Sequence, residues 1–250
     1  MAILKVDHVS KSFDGQKILE QISLELREGE IVSLLGVSGG GKTTLFNLIS
    51  GLTVPDEGKI WLEDAEITGK PGMISYMLQK DLLLPYRTIV DNVALPLVIK
   101  GMKKSEAREK AAGYFEQFGL SGYEKKYPAQ LSGGMKQRAA LLRTYLFSEK
   151  VALLDEPFSA LDMLTKSAVH EWYLDVMEKI HLSTIFITHD IDEAILLSDR
   201  IYLLTGRPGK LTKEVVIKEP KPRRKDFNLS EEFLNYKREI LEHLENPDGE

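Results

Sequence analysis

The sequence predicts an α/β fold in which a mainly parallel β-sheet is covered by helices, and three observations support this prediction. Short apolar runs alternate with helical stretches along the 250 residues, an arrangement typical of parallel sheets. The first 30 residues instead alternate apolar with polar side chains, which predicts an antiparallel sheet with one wetter face. Strand signals nearly vanish between Gln79 and Val151, so we expect a helical lobe inserted into the sheet domain.

The strands are the first elements that the sequence defines. Near the N-terminus, ILKVDHV and ILEQISLEL flank the turn DGQK and form the expected antiparallel pair. The central strands are short, apolar and rich in β-branched residues or leucine. They are IVSLL (31–35), VALLD (151–155), TIFIT (184–188) and IYLLT (201–205).

The helices follow from apolar spacing. Helical spacing occurs in SEAREKAAGYFEQFG (105–119) and in the segment after Ser132. We therefore interpret 1–250 as one domain with a catalytic core at 1–87 and 149–218 and a helical subdomain at 88–148. A polar, proline-bearing linker and a C-terminal helix fill 219–250.

The C-terminal helix has a capping signal and one apolar face. Ser230 is a suitable N-cap, and Glu231 and Glu232 lie in the first turn, where negative charge is favourable. Such an apolar stripe indicates packing on the chain's own domain, with a partner surface as the alternative. The stripe consists of Phe233, Leu234, Tyr236, Ile240, Leu241 and Leu244.

Composition excludes several classes of function. The formal net charge is −5 and the pI is about 5.7, which argues against a nucleic-acid-binding surface. We interpret the basic run KPRRK (221–225) as a solvated loop.

The chain has no cysteine, so disulfides, thiolate metal sites and a cysteine nucleophile are excluded. No apolar run approaches the roughly 20 residues that cross a bilayer, and MAILKVDHVS lacks the apolar stretch of a signal peptide. We expect a soluble cytoplasmic protein.

A phosphate-binding loop lies between the first central strand and a helical stretch. Gly36, Gly41, Lys42 and Thr43 fit the pattern G-x-x-x-x-G-K-[ST]. Glycines let backbone amides and the following helix N-terminus point at phosphate oxygens; Lys42 would reach the terminal phosphates and Thr43 would ligate magnesium. A chance glycine-rich turn is the alternative, but the flanking strand and helix argue against it. The whole loop comprises Gly36, Val37, Ser38, Gly39, Gly40, Gly41, Lys42, Thr43 and Thr44.

Acidic residues end a second central strand. In VALLDE, Asp155 could place a carboxylate beside the metal, and Glu156 could polarise a water that attacks the γ-phosphate. Many strands end in acidic residues, so this signal is weak alone. Together with the phosphate loop it becomes strong.

Three further segments carry candidate polar residues. His189 follows the strand TIFIT, at the expected ligand-binding edge of the sheet, although a lone histidine is often surface or core filler. Gln79 ends an apolar stretch, which proves nothing alone. In LSGGMKQR, Ser132 and two glycines precede a helix and could hold a second phosphate group. A serine cap explains Ser132 but not the two adjacent glycines, since each glycine weakens a helix interior by roughly 0.5–1 kcal/mol.

These segments, in this order, resemble the nucleotide-binding subunit of an ABC transporter over almost the whole chain. The matching motifs are GVSGGGKTT, YMLQ, LSGGMKQR, VALLDE, SALD and ITHD. The resemblance implies a P-loop NTPase (RecA-like) core with an N-terminal antiparallel β subdomain and an inserted α-helical subdomain. LPYRTIVDNVALPL, DEPFSALD, the run THDIDEAILLSDRIYLLTGRPGK and the charged C-terminal helix are similar to importers of the nitrate, sulfonate and taurine type. That group also takes up pyrimidine-like vitamin precursors, and the resemblance does not name the cargo.

The resemblance also implies roles for individual residues. In this family two subunits enclose two ATP molecules with Mg²⁺, and the signature of one subunit closes on the γ-phosphate held by the other. Ser132, Gly133 and Gly134 would make that contact.

The remaining implied roles lie in the other motifs. Phe13 would stack on adenine, although the family more often has tyrosine there and a core phenylalanine is the alternative. Gln79 would sense the metal and the γ-phosphate, and Glu156 would be the catalytic base. His189 would be the switch histidine, and Asp162 would lie at the dimer seam. Gly40 stands where cysteine, serine or alanine is frequent.

The implied partners are membrane proteins and another nucleotide-binding subunit. We expect a homodimer on the cytoplasmic face of the membrane that contacts a permease through a groove near Asp81–Arg87. A solute-binding protein would recognise the cargo, and no nucleic acid would bind. The alternative is a soluble ABC ATPase acting on DNA or the ribosome, but such relatives typically need two nucleotide domains in one chain, a long coiled coil or zinc-binding cysteines. A phosphate-loop kinase or GTPase would not explain LSGGMKQR, and an exporter half would normally accompany exporter membrane segments.

Overall fold

The computed structural model describes residues 2–37, 39–159, 163–221, 223–224 and 226–246. The strands are β1 Ala2–Phe13, β2 Gln16–Arg27, β3 Ile31–Gly36, β4 Glu57–Leu62, β5 Ala65–Glu66, β6 Ser75–Met77, β7 Val151–Asp155, β8 Ser183–Thr188, β9 Arg200–Thr205 and β10 Lys210–Val216. The helices are α1 Lys42–Ile49, α2 Ile89–Val93, α3 Leu95–Ile99, α4 Lys104–Ala112, α5 Gly133–Phe147, α6 Met163–Ile180, α7 Ile191–Leu197 and α8 Glu231–Glu245. The chain forms two units, one of residues 1–74 and 183–250 and one of residues 75–182.

The first unit begins with an antiparallel sheet. Its strand order is β2-β1-β4-β5, and β1 pairs antiparallel with both β2 and β4. Asp14 and Gly15 form the turn between β1 and β2 with φ of 49° and 79°, the conformation that tight hairpin turns require. The antiparallel arrangement expected for the first 30 residues is confirmed.

A parallel arrangement forms the centre of the first unit. Strand β3 lies between β8 and β9 and is parallel to both, while β10 pairs antiparallel with β9. Every residue of β3, β8 and β9 is buried, which explains why these strands are continuous apolar runs rather than alternating ones. The predicted strands at 31–35, 184–188 and 201–205 are confirmed.

Helix α8 packs on its own unit. The Ser230 side chain caps the helix by accepting a hydrogen bond from the Phe233 amide at 3.2 Å. Phe233 and Ile240 are buried in a cluster with Leu35 and Leu203. The expected packing is therefore confirmed for this part of the stripe. Leu234 and Leu241 remain exposed.

Part of the basic run at 221–225 is engaged in contacts within the first unit. Lys221 forms an ion pair with Asp199 at 2.7 Å. The Arg223 guanidinium donates a hydrogen bond to the Ser198 carbonyl. These contacts support a loop rather than a binding patch, but Lys221 and Arg223 are only partly exposed, so the expectation of a solvated loop is wrong for these two residues. Residues 222 and 225 lie outside the described residues.

The second unit combines a parallel strand pair with helices. Strands β6 and β7 are parallel, with Met77 opposite Leu154. Helices α2 to α5 lie within the predicted helical subdomain, whose boundaries at 88 and 148 stay a prediction. The helix expected over 105–119 is shorter, because α4 ends at Ala112. Gly113 follows it, and the chain continues in turns such as Phe115 N–H to Ala112 O at 3.1 Å. None of the described helices is both long and apolar enough to span a membrane.

An ion pair joins α2 to α4 in the second unit. The Arg108 guanidinium donates two hydrogen bonds to Asp91, at 2.8 and 2.7 Å. The Asp91 side chain is only 12% exposed. Its bond to Arg108 outweighs its partial burial and lowers the pKa of Asp91 from its ordinary 3.8 to about 2.

The Asp91→Asn variant tests this contact. Because the pKa of Asp91 is lower in the folded protein than in the unfolded chain, its charged carboxylate stabilises the fold fully above pH 3.8. That contribution disappears as the pH falls through about 2. Because Arg108 is half-exposed, we expect the variant to lose about 1 kcal/mol of unfolding free energy at pH 7. The difference should shrink to about half by pH 3. Urea unfolding at both pH values measures it, and an unchanged difference would assign the loss to packing rather than charge.

Candidate functional site

The predicted phosphate loop connects β3 to α1 in the first unit. Gly39 and Gly41 have φ of 77° and 95°, which disfavours any side chain there. A Cβ on Gly36 would lie 2.2 Å from the Leu204 carbonyl oxygen of β9. The backbone of the loop is therefore fixed by contacts that only glycine permits at these positions.

The ammonium group of Lys42 is buried within this loop. Its side chain is 9% exposed. The ammonium group donates hydrogen bonds to the carbonyls of Gly36 at 2.7 Å and Val37 at 2.9 Å. Thr43 is exposed and Thr44 is half-buried in the first turn of α1, and Ser38 lies outside the described residues. The loop thus combines a cation with the N-terminus of a helix, the two features that bind phosphate.

His189 lies at the same edge of the sheet as the phosphate loop. In the parallel pair of β3 and β8, Leu35 is opposite Thr188, so both strands end together. His189 is exposed directly after Thr188. Asp190 then caps α7 by accepting hydrogen bonds from the amides of Asp192 at 2.9 Å and Glu193 at 3.2 Å. The first unit therefore brings His189 to the carboxyl edge where the loop begins.

Phe13 presents its ring to solvent at the end of β1. The residue is 46% exposed, which excludes the core role that is common for phenylalanine in a strand. The Lys11 ammonium lies 5.3 Å from the centroid of the ring. Phe13 pairs with Gln16 across the β1–β2 turn, so an exposed aromatic surface adjoins this turn.

The second unit brings three other candidates together. The Gln79 amide donates a hydrogen bond to the Glu156 carboxylate at 2.9 Å. Asp155 ends β7, and the Tyr76 hydroxyl donates to its carboxylate at 3.5 Å. Burial, together with the negative charge of Asp155, raises the pKa of Tyr76, which keeps its hydroxyl a donor. Glu156 has φ of 46°, an unusual conformation that is often found at functional sites.

Ser132 and Gly133 begin helix α5 in the second unit. The exposed Ser132 hydroxyl accepts a hydrogen bond from the Met135 amide at 3.3 Å. Among the residues that the structure describes, a Cβ on Gly133 would meet no atom within 4 Å beyond its chain neighbours and the backbone of its own helix. Ser132, Gly133 and Gly134 are therefore at a helix N-terminus as predicted, and packing within the chain does not explain why residue 133 is glycine.

Sequence reasoning missed one residue of this arrangement. The contact of Tyr76 with Asp155 was not expected. The available signal was its position in YMLQ, three residues before Gln79. Asp162, expected at a dimer seam, lies outside the described residues.

A model of the ABC transporter family matches residues 19–159. The chain belongs to the ABC transporter family. It is 47% identical to the formylaminopyrimidine import ATP-binding protein of Halalkalibacterium halodurans, over 82% of this chain and 81% of that protein. It is 38% identical to the aliphatic sulfonates import ATP-binding protein of Bacillus cereus, over 97% of this chain and 96% of that protein.

A solved structure is similar to this ABC protein over most of its length. A dimeric ATP-binding cassette in a post-hydrolysis state, bound to ADP and Pi, matches with a TM-score of 0.72 and 28% identity. The match covers 86% of this chain and 99% of that one. The predicted P-loop NTPase fold and the predicted role as ATP-binding, ATP-hydrolysing subunit of an ABC importer are confirmed.

The Lys42→Ala variant tests the phosphate loop of this ABC subunit. Removing the ammonium group leaves the loop without its cation, so we expect ATP to bind at least about tenfold more weakly. Titration with a fluorescent ATP analogue measures the affinity. Lys59→Ala is the control, because Lys59 forms an exposed ion pair with Glu66 in the antiparallel sheet. Equal affinity in both variants would show that Lys42 does not bind the phosphates.

Proposed function

We propose that two copies of this importer subunit enclose two Mg²⁺–ATP complexes, each between the phosphate loop of one copy and Ser132–Gly134 of the other. Closure and reopening of this dimer then drive a separate permease on the cytoplasmic face of the membrane. ATP makes contacts that exist only in the closed dimer, so it shifts the equilibrium by its differential affinity for that state.

The observation that carries this proposal is the open space beside Gly133. Apart from its chain neighbours and the backbone of its own helix, no described residue lies within 4 Å of its Cβ position, and its φ lies outside the left-handed region. A glycine there weakens the helix without improving contacts within the chain. Close approach of a ligand or another subunit explains its presence, because any Cβ would obstruct that approach.

The N-terminus of α5 is also suited to an anion. The first amides of any helix have no partners within that helix, and the helix dipole favours negative charge at this end. Ser132 adds a hydroxyl at the same position. The similar cassette solved with ADP and Pi is itself dimeric, which supports the pairing of two subunits.

We assign a role in ATP binding or hydrolysis to each of the following residues. Lys42 would bind the terminal phosphates, and Glu156 would polarise the attacking water. The Gln79 amide supports this role, because its hydrogen bond orients the Glu156 carboxylate. His189 would contact the γ-phosphate. Phe13 would stack on adenine through its exposed ring.

The side chains proposed to hold Mg²⁺ fit a hard cation. Thr43, Gln79 and Asp155 offer a hydroxyl, an amide oxygen and a carboxylate. Within the described part of the chain, no group of three or more His, Cys, Asp or Glu residues could hold a metal. Mg²⁺ normally uses only one or two carboxylates together with substrate phosphates and waters, so such a sparse donor set is sufficient. Mg²⁺ would neutralise charge on the phosphates.

The segment 81–87 supports contact with a permease. Leu82, Leu84 and Tyr86 are 52%, 39% and 94% exposed, a grouping of apolar side chains that suggests a protein interface.

Side-chain hydrogen bonds fix the backbone of the segment 81–87. The Arg143 guanidinium donates a hydrogen bond to the Leu82 carbonyl at 2.8 Å. The Asn92 amide donates hydrogen bonds to the carbonyls of Leu84 and Arg87 at 3.1 Å. A fixed backbone that displays apolar side chains would transmit motion to a partner efficiently, since little order must be gained on binding.

The cargo is proposed to be a small molecule of the type that the relatives import. The proteins reported above are named for formylaminopyrimidine and aliphatic sulfonates. A separate solute-binding protein would recognise the cargo. The test is a thermal-shift screen of any solute-binding protein encoded beside this subunit: stabilisation by one compound would identify the cargo, and stabilisation by none of these classes would contradict the proposal.

The Glu156→Gln variant tests the catalytic base. Glutamine retains the shape of the side chain but cannot accept the proton, so ATP turnover should fall by about 100-fold or more. ATP should still bind, and a stable dimer should accumulate on gel filtration. Glu28→Gln, at an exposed position of the first unit, is the matched control. Turnover near the wild-type rate in Glu156→Gln would remove this residue from the role of base.

The Ser132→Arg variant tests the contact between subunits. A long cationic side chain at the N-terminus of α5 should block dimer closure without weakening ATP binding by the monomer. Ser105→Arg makes the same replacement at an exposed position of α4 and should leave dimerisation intact. Gel filtration of both variants in the Glu156→Gln background measures the effect. Unchanged dimerisation of Ser132→Arg would overturn the proposed sandwich.

A further inference from the structure

The turn between β9 and β10 brings an arginine to the phosphate loop. This turn, residues 206–209, belongs to the TGRPGK segment that the motifs for ATP binding leave without a role. Arg207 lies in it and is exposed. A Cβ built on Gly39 would lie 3.5 Å from the Nη2 atom of Arg207. The guanidinium group therefore lies directly over the backbone of the loop.

Backbone contacts hold the turn in this position. The Gly209 amide donates a hydrogen bond to the Ile18 carbonyl at 2.8 Å, and the Glu20 amide donates to the Gly209 carbonyl at 3.0 Å. On its other side, a Cβ on Gly209 would lie 2.3 Å from the Gly40 carbonyl oxygen. The turn is thus fixed between β2 and the phosphate loop, and glycine at 209 makes this approach possible.

A cleft of about 230 Å³ opens at this position. Residues 16–18 of β2, Gly39 and the turn 206–209 line it. Gln16 is the register partner of Phe13, so the cleft begins beside the exposed ring and ends at the phosphate loop. Gln16, Lys17 and Arg207 contribute polar groups to its lining, and its volume suits part of a nucleotide.

The charges around the cleft leave Arg207 available to a ligand. Lys17 and Lys210 both form ion pairs with Glu20, at 2.7 and 2.9 Å. Among the residues that the structure describes, no ion pair or hydrogen bond engages the Arg207 side chain. A guanidinium group presents several donors in one plane and matches phosphate oxygens. Because the Arg207 guanidinium lies over the phosphate loop, it is well placed to bind a phosphate group there.

We propose that Arg207 is a nucleotide-binding residue that donates hydrogen bonds to the phosphates bound by the loop of the same subunit. The inference rests on the proposed nucleotide site and adds a residue to it from a turn far along the chain. Because Arg207 and Gly39 belong to one unit, the contact needs no second subunit. It should therefore strengthen nucleotide binding by the monomer, before any dimer closes.

The test compares Mg²⁺–ADP binding by wild type, Arg207→Ala, Arg207→Lys and Lys210→Ala in dilute monomer, by calorimetric titration. Arg207→Ala should bind about tenfold more weakly at low salt, and the difference should shrink at high salt because screening weakens charge contacts. Arg207→Lys should recover part of the affinity. Lys210→Ala removes a neighbouring charge that Glu20 already pairs and should bind within about twofold of wild type.

Two outcomes would overturn the inference. One is wild-type affinity in Arg207→Ala, with melting temperatures that confirm folding. The other is an equal loss in Lys210→Ala, which would assign the effect to the general charge of the turn. Absence of ADP binding by the wild type would instead defeat the proposed nucleotide site itself, so the two failures are distinguishable.

Discussion

The close approach of backbone to backbone around the phosphate loop is the constraint on which the rest of the site depends. The Leu204 carbonyl oxygen lies only 2.2 Å from the position of a Cβ on Gly36, and the Gly40 carbonyl oxygen lies 2.3 Å from that of a Cβ on Gly209. Contacts this close restrict the backbone at Gly36 and Gly40, so this part of the loop is shaped before any ligand arrives. Preorganised amides bind phosphate without the cost of ordering a flexible loop, and the Lys42 ammonium is held among the loop carbonyls in the same way.

Each unit prepares its own set of polar groups. In the first unit the parallel register of β3 and β8 fixes His189 relative to the phosphate loop. In the second unit, hydrogen bonds to Gln79 and Tyr76 orient the carboxylates of Glu156 and Asp155. The left-handed backbone of Glu156 is energetically unfavourable for a residue with a side chain. This conformation occurs directly after a buried strand, where the Glu156 carboxylate accepts the hydrogen bond from Gln79.

Two other features support the proposed contacts with partners. Gly133 faces open space, and Tyr86 is almost fully exposed although it is a large aromatic residue. Neither choice stabilises the isolated chain. The proposed opening and closing of the dimer requires such surfaces, because the contacts that drive the cycle must be absent in one of its states.

The sequence alone determined the N-terminal antiparallel pair, the four buried central strands, the phosphate loop and the family, because these depend on local patterns. Buried strands are continuous apolar runs, and glycines at fixed spacing define a loop whatever surrounds it. The sequence wrongly extended the helix of 105–119 beyond Ala112, where α4 ends, because apolar spacing continues through turns that pack on the same core. Only the tertiary structure joined Gln79 to Glu156 and placed Arg207 over Gly39. These pairs are far apart along the chain, and strand register together with the path of a turn, rather than any local pattern, decides which side chains meet.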